Sequence, residues 1–413
     1  MEITELLKFT LDNKGSDLHL AGGNQPIVRI DGELQRIKTD PLTPDQIRAM
    51  LFSIMTEEQR AVYERELEHD FAISLGADAR FRVNAFTNRQ GSAAVFRTIP
   101  SVIPSMEDLD LPSVIRRFSE LEKGIVLVTG PTGSGKSTTL ASMINHINET
   151  MPKHILTIED PVEFFHTSKK SLVNHRELGN DTQSFSRALK SALREDPDVI
   201  LVGEMRDHET ISLALTAAET GHLVFGTLHS SSAAKTVDRI IDVFPTGDKE
   251  MIRAMLASSL QGVVAQTLLK KAGGKGRVAA FEILVGTNAV RNLIRENQIP
   301  QMYSMIQTGS RYGMTTMEDS VHSLLERGII DAEEARTVLA KTTDEDGADR
   351  DPVVSSAATS KVADVWCVSL TVTIGISQQP VSWPMQSASV MSATFGTGLP
   401  SSKGKRSEER RVG

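Results

Sequence analysis

The segment from residue 124 to residue 140 constrains the fold more than any other part of the chain. A short apolar run at 125–128 is typical of a buried strand, and the letters GPTGSGKS follow at 130–137. They fit the pattern G-x-x-x-x-G-K-[ST], and residues 137–147 have the character of a helix. Strand, glycine-rich loop and helix in this order predict a phosphate-binding loop rather than a chance glycine-rich turn. The residues expected to contact the phosphates are Gly130, Pro131, Thr132, Gly133, Ser134, Gly135, Lys136, Ser137 and Thr138.

The chemistry of this loop explains why these residue types are needed. Glycines allow backbone N–H groups to turn inward around a β-phosphate, at a helix N-terminus whose partial positive charge favours an anion. Lys136 is expected to reach the β- and γ-phosphates, and Ser137 to place its hydroxyl on Mg²⁺. The sequence therefore predicts a site for a nucleoside triphosphate, with Mg²⁺ as the metal.

Composition argues against several other kinds of protein. No apolar run approaches the ~20 residues that a membrane span needs, so we expect a cytosolic chain without a transmembrane segment. The single cysteine, Cys367, is too few for a disulfide framework or a cysteine-based zinc site. A net charge of −8 argues against broad attraction to nucleic acid, and no stable nucleic-acid partner is expected.

The first hundred residues predict a small α+β domain. Helices are expected at 3–11 and 43–67, and strands at 17–20, 26–32, 70–75, 79–85 and 92–98. Prolines at 100, 104 and 112 make residues 101–112 a linker.

Residues 113–344 predict a second, larger α/β domain. Strands and helices alternate there, which is the pattern of a parallel sheet built from βαβ units. The expected strands are 125–129, 154–158, 199–202 and 223–227, and the expected helices are 137–147, 184–193, 209–218, 233–241, 247–260, 289–296, 300–309 and 316–327. Residues 345–413 differ in composition, because they are rich in Ser, Thr and Gly. They predict a disordered tail or a non-native extension.

Two predicted strands of the larger domain end in acidic residues. Glu159, Asp160 and Glu163 follow the strand at 154–158, and Glu204 follows the strand at 199–202. Carboxylates at the C-terminal ends of strands in an open α/β sheet lie where ligands bind. A single acid in such a place is more often a helix N-cap or a solvated turn, but two acidic strand ends beside one phosphate loop favour hydrolysis. Glu204 is expected to hold a metal-bound water.

Histidines and arginines add further candidates. His222 precedes the strand at 223–227 and His229 follows it, where it could contact a γ-phosphate. Strand alternation predicts that Arg80 and Arg82 share one face of the first domain, and Arg97 lies on another of its strands. The residues alone do not separate an arginine that meets a phosphate from an exposed polar sheet face.

Taken together, these segments resemble the secretion and type IV pilus motor ATPases, and within that family the retraction motors. The resemblance covers residues 1–344, which leaves the tail without a counterpart. Besides the phosphate loop, it rests on SDLHL at 16–20, TIEDPVEF at 157–164, LREDPD at 193–198, GEMRD at 203–207, AAETGHL at 217–223 and TLH at 227–229.

The resemblance implies an architecture and a setting. It implies a PAS-like N-terminal domain and a RecA-like motor domain assembled as a homohexameric ring, with ATP between the motor domain of one subunit and the N-terminal domain of its neighbour. It also implies a cytoplasmic enzyme that hydrolyses ATP with Mg²⁺ at the inner-membrane base of a pilus machine. There it would work with a platform protein to retract pili and power twitching motility.

The resemblance also assigns roles to single residues. Glu163 would be the carboxylate that activates water, and Glu204 would replace the usual Walker B aspartate and share the metal with Ser137. His222 and His229 would belong to a histidine box at the nucleotide. Arg82 and Arg97 would act on the nucleotide of a neighbouring subunit.

Two absences and one motif point to retraction within this family. Extension and secretion motors usually carry a four-cysteine zinc motif and an additional N-terminal domain, and the chain shows neither. The segment AVRNLIRE at 289–296 resembles a mark of retraction motors. Its Arg291 and Arg295 are expected on a polar helix face, where replacement by Ala should leave folding intact and abolish retraction. An accessory paralogue, a nucleotide-gated assembly protein without turnover and a nucleic-acid translocase are the alternatives.

Overall fold

The computed structural model of the chain describes residues 2–30, 32–76, 79–99, 102–274 and 276–345. The tail predicted at 345–413 lies outside these residues from 346 onward. None of the helices within the described ranges is long and apolar enough to cross a membrane.

The N-terminal domain is an antiparallel sheet with helices packed on one face. In the described part of the chain its strands run in the order β3-β2-β1-β6-β5-β4. Apolar side chains that alternate along β5, such as Phe81 and Val83, are buried with Leu6, Leu7 and Leu51 of the helices. The elements are α1 (Ile3–Asp12), β1 (Asp17–Ala21), β2 (Ile27–Ile30), β3 (Glu33–Arg36), α2 (Pro44–Ile54), α3 (Glu57–Glu66), β4 (Glu68–Leu75), β5 (Ala79–Asn88) and β6 (Gly91–Ile99).

The single helix predicted at 43–67 is in fact two helices. The Thr43 side chain caps the first as predicted, because its hydroxyl accepts the Gln46 N–H. Met55 is extended, and Thr56 caps a second helix by accepting the Gln59 N–H. A second Thr-x-x-Gln capping box at 56–59 therefore starts a new helix inside the predicted one.

The second domain, for which the resemblance implies a motor domain, is a mostly parallel sheet in the order β13-β12-β7-β11-β10-β8-β9. Among the described strands of this sheet, only β13 is antiparallel. All four predicted strands are present. The strands are β7 (Gly124–Thr129), β8 (His154–Glu159), β9 (Leu172–Glu177), β10 (Val199–Val202), β11 (Leu223–Leu228), β12 (Leu260–Lys270) and β13 (Arg277–Val285).

Helices cover both faces of this sheet, so its central strands are buried on both sides. Along β7, Ile125 and Leu127 pack into one apolar core and Val126 and Val128 into another. All eight helices predicted for this region are present. The helices are α4 (Ser113–Ser119), α5 (Lys136–Thr150), α6 (Phe185–Ala192), α7 (His208–Glu219), α8 (Ala233–Asp242), α9 (Lys249–Ser259), α10 (Asn288–Arg295), α11 (Met302–Thr308), α12 (Met317–Glu326) and α13 (Ala332–Glu345), with 3-10 turns at Ile299–Gln301 and Ser310–Tyr312.

The structure corrects the expectation for Arg291, which does not lie on a solvated face. Its guanidinium is half-buried and donates to the carbonyl oxygens of Gly286 and Ala257 at 2.8 Å each, and to that of Ser258. Ala257 and Ser258 belong to the last turn of α9, whose carbonyls have no partner within the helix. Arg291 therefore caps α9 from α10, whereas Arg295 is exposed and bonds only to Asn292 of its own helix among the contacts described.

Replacing Arg291 with Ala is therefore expected to destabilise the fold. Lost charge-assisted hydrogen bonds to buried carbonyls should lower the free energy of unfolding by about 2 kcal/mol. Arg295→Ala is the matched control and should change it by less than about 0.5 kcal/mol. Urea denaturation of both variants measures the difference, and equal stability would contradict a capping role for Arg291.

Candidate active site

The phosphate loop joins β7 to α5 in the way its sequence predicts. Gly133 and Gly135 adopt the left-handed conformation, with φ of 78° and 89°. A Cβ on Gly130 would lie 2.3 Å from the Gln266 carbonyl oxygen, so only glycine fits there. No described side chain caps the start of α5, whose first-turn N–H groups therefore remain available to an anion.

Lys136 is folded into this loop. Its ammonium donates to the carbonyl oxygens of Gly130 at 2.9 Å and Pro131 at 3.1 Å. Burial lowers the pKa of Lys136, while the nearby carboxylates of Glu204 and Glu163 act to raise it. Lys136 therefore lies within the electrostatic range of both acids that the sequence singled out.

Glu204 lies where β10 ends, and contacts between strands fix its position. Met205 donates its N–H to the Thr227 carbonyl at 3.0 Å, which ties the turn after β10 to β11. The Glu204 carboxylate accepts a hydrogen bond from Arg206 and lies 3.3 Å from Nε2 of His229. Burial acts to raise the pKa of Glu204, but Arg206, His229 and Lys136 outweigh it and hold that pKa below its usual value. Glu204 is therefore ionised at neutral pH.

The two histidines lie at opposite ends of β11. His229 follows the strand and lies beside Glu204, and burial together with the charge of Lys136 lowers its pKa. His222 precedes the strand, and its carbonyl accepts the N–H of Gly124 at the start of β7. His222 and His229 are seven positions apart along extended chain, a distance of about 23 Å at roughly 3.3 Å per residue. His222 therefore lies far from the phosphate loop of its own subunit, and its expected contact with a nucleotide stays a prediction.

The loop that carries Glu163 follows β8 and is held by a neighbouring carboxylate. Glu159 ends β8 just before this loop, and burial raises its pKa to about 7. The N–H of Val162 donates to Glu177 at the end of β9, with a distance of 3.0 Å. The Glu163 side chain is partly exposed, and its negative charge acts on Lys136.

Arg82 and Arg97 lie directly opposite each other on β5 and β6 of the N-terminal domain. Arg82 pairs with Asp70 at 3.5 Å, and Arg97 donates to Asp17 at 2.9 Å. The charge of Arg82 also acts on Asp160 of the motor domain, whose pKa burial raises. Both arginines thus have acidic partners within the subunit, and Arg82 approaches the acidic loop after β8.

A cleft lies beside the phosphate loop, and some of its lining residues were not predicted from the sequence. Its volume of about 640 Å³ falls within the roughly 300–1,000 Å³ typical of ligand pockets. Thr138 lines it, and buried Gln266 lines it while donating to the Ser134 carbonyl at 2.7 Å. Ser134 Oγ is buried without a hydrogen-bond partner among the described residues. Gln266 and Arg277 lie on β12 and β13, which the sequence did not predict, so no local signal pointed to them.

The residues present fit Mg²⁺ and a triphosphate. Mg²⁺ is usually held by one or two protein oxygens together with substrate phosphates and waters, so no large acidic cage is needed. Within the described ranges there is no cluster of three or more metal-ligating side chains. Ser137 in the first turn of α5 and the ionised Glu204 provide the kind of oxygens that Mg²⁺ prefers.

The chain is similar to known proteins in both its sequence and its structure. A Pseudomonas aeruginosa protein described as a type IV pilus retractation ATPase PilT is 58% identical over 336 residues, covering 81% of this chain and 97% of its own. A Neisseria gonorrhoeae twitching motility protein is 60% identical over 311 residues, covering 75% and 83%. A crystal structure of the pilus retraction motor PilT with bound ADP matches with a TM-score of 0.75 at 47% identity, covering 81% and 96%. The family model described as type II/IV secretion system protein matches residues 2–337, and the chain therefore belongs to that family.

Proposed function

We propose that this chain is the ATP-hydrolysing motor that retracts type IV pili and so powers twitching motility. The observation that carries the proposal is a phosphate loop into which Lys136 is folded, with Glu204 at the end of the nearby strand β10. The names of the similar proteins and the AVRNLIRE segment at 289–296 support retraction in particular.

In the proposed reaction, a water attacks the γ-phosphorus of ATP and the bond to the β,γ-bridging oxygen breaks. Glu163 takes the proton of the attacking water, and the ammonium of Lys136 balances the charge that develops on the phosphates. Ser137 and Glu204 would hold Mg²⁺, which when bound would supply positive charge that stabilises the charge developing on the phosphates. His229 keeps the Glu204 carboxylate in place through the contact between them.

The setting of this motor is also a proposal. We place six copies in a ring in the cytoplasm, at the inner-membrane base of the pilus machine, where they act on a platform protein. Arg82 and Arg97 would complete the ATP site of an adjacent subunit. The partial exposure of both side chains supports contact with a second copy.

Hydrolysis assays on two variants test the proposed reaction. Glu204→Gln should leave ATP affinity within about twofold and lower turnover about a hundredfold, because Mg²⁺ loses the ionised oxygen that helps to hold it. Lys136→Ala should weaken ATP binding itself, because it removes the charge on the β- and γ-phosphates.

Glu120→Gln is the matched control for these variants. Glu120 pairs with His146 at 3.3 Å before the start of β7, at the opposite end of that strand from the phosphate loop. Wild-type turnover is expected for it. Turnover near wild type in Glu204→Gln would contradict the role of Glu204, and a wild-type chain that binds ATP without hydrolysing it would favour the nucleotide-gated assembly protein.

Mixed rings test whether the arginines act across subunits. Arg97→Ala subunits mixed with Lys136→Ala subunits should regain activity, because some interfaces then pair an intact phosphate loop with an intact Arg97. A mixture of Lys136→Ala and Glu204→Gln should regain none, since both defects lie in the motor domain. Absence of recovery in verified mixed rings would show that Arg97 acts on the ATP site of its own subunit or only stabilises the fold.

A further inference from the structure

An ion pair joins the N-terminal domain to the motor domain close to the candidate active site. Arg80 lies on β5, on the face opposite the buried Phe81 and Val83, and donates from Nη2 to Oε2 of Glu177 at 2.9 Å. The Glu177 side chain is only 7% exposed and that of Arg80 23%. A pair this buried restricts both side chains far more than an exposed pair does.

Glu177 also holds the loop that carries Glu163. The oxygen that accepts Arg80 accepts the Val162 N–H at 3.0 Å, and the other carboxylate oxygen accepts the Asn180 amide. One buried carboxylate thus connects an arginine of the N-terminal domain with the backbone one residue before Glu163.

A second carboxylate reinforces this connection. Glu159 lies opposite Glu177 in the register of β8 and β9, and the loop that carries Glu163 follows it directly. The charge of Arg80 also acts on Glu159. Arg80 therefore acts on both acids at this end of β8 and β9, one of which holds the Val162 N–H.

We infer that Arg80 and Glu177 are positioning residues through which the N-terminal domain sets the place of the Glu163 loop. The inference rests on the proposed function, in which Glu163 activates the attacking water. Neither residue is expected to touch ATP.

Electrostatics gives the reason why the pair matters to the loop. A buried carboxylate that loses its cation takes up a proton or turns toward water, because an unpaired buried charge is costly. Either change weakens the charge-assisted hydrogen bond from the Val162 N–H. A movement of the N-terminal domain that withdraws Arg80 would therefore release the Glu163 loop, so hydrolysis depends on how the two domains are arranged.

Steady-state hydrolysis of ATP by the purified full chain tests this inference. Arg80→Gln should lower kcat about tenfold or more, because a small displacement of a catalytic group slows the chemical step. KM for ATP and the affinity for ADP should stay within about twofold, since the phosphate loop is untouched. Arg80→Lys keeps the charge and should regain at least about half of the lost kcat. Arg36→Gln, an exposed arginine of β3 in the same sheet, is the matched control and should behave as wild type.

Glu177→Gln gives an independent measurement if Arg80→Gln folds poorly. The amide keeps the side-chain shape but loses the charge, so the same loss of kcat with unchanged KM is expected. The double variant should be no slower than either single variant, because the two residues act as one unit.

Three results would overturn the inference: wild-type kcat in Arg80→Gln or Glu177→Gln, a parallel loss of kcat and ADP affinity, or a Lys variant as slow as the Gln variant. A wild-type chain that hydrolyses no ATP would overturn both the proposed function and this inference. An Arg80→Gln enzyme with the wild-type kcat would overturn only the role of the pair.

Discussion

The parallel pairing of β7, β11, β10 and β8 is the constraint on which the rest of the site depends. Parallel strands place their C-terminal ends at the same edge of a sheet. Here β7 ends in the phosphate loop, β10 and β11 lead to Glu204 and His229, and β8 leads to the Glu163 loop. Residues up to about a hundred positions apart in the chain thus meet around Lys136. The same constraint places His222, which precedes β11, at the opposite edge of the sheet.

Charged side chains then connect this edge with the N-terminal domain. Arg80 pairs with Glu177, and the charges of Arg82 and Arg206 both act on Asp160. Arg206 in turn bonds to Glu204. A motor has to couple a chemical step to a movement between domains, and a largely buried pair such as Arg80 and Glu177 responds steeply to separation because its strength depends on exclusion of water.

Most of the fold followed from the sequence because its signals are local. The strands at 125–129 and 223–227 are continuous apolar runs, and Thr43 is a local cap. Two missed strands lack such signals, because Glu33–Arg36 is exposed throughout and Leu172–Glu177 is largely polar. Leu260 starts a third strand directly where α9 ends, and only Arg277–Val285 is an apolar run that the sequence analysis missed. The phosphate loop and the acids were predictable for the same local reason. Gln266, Glu177 and the burial of Arg291 were not, because their contacts join distant segments.

The most direct test of the account measures pilus retraction in living cells that lack their own retraction motor. The full chain and its Glu163→Gln variant would be expressed at equal levels, and single-pilus retraction would be recorded beside twitching on a surface. The account predicts that the full chain restores both, and that Glu163→Gln binds ATP yet restores neither. Retraction by Glu163→Gln at the wild-type rate, or no retraction by a full chain that hydrolyses ATP, would contradict it.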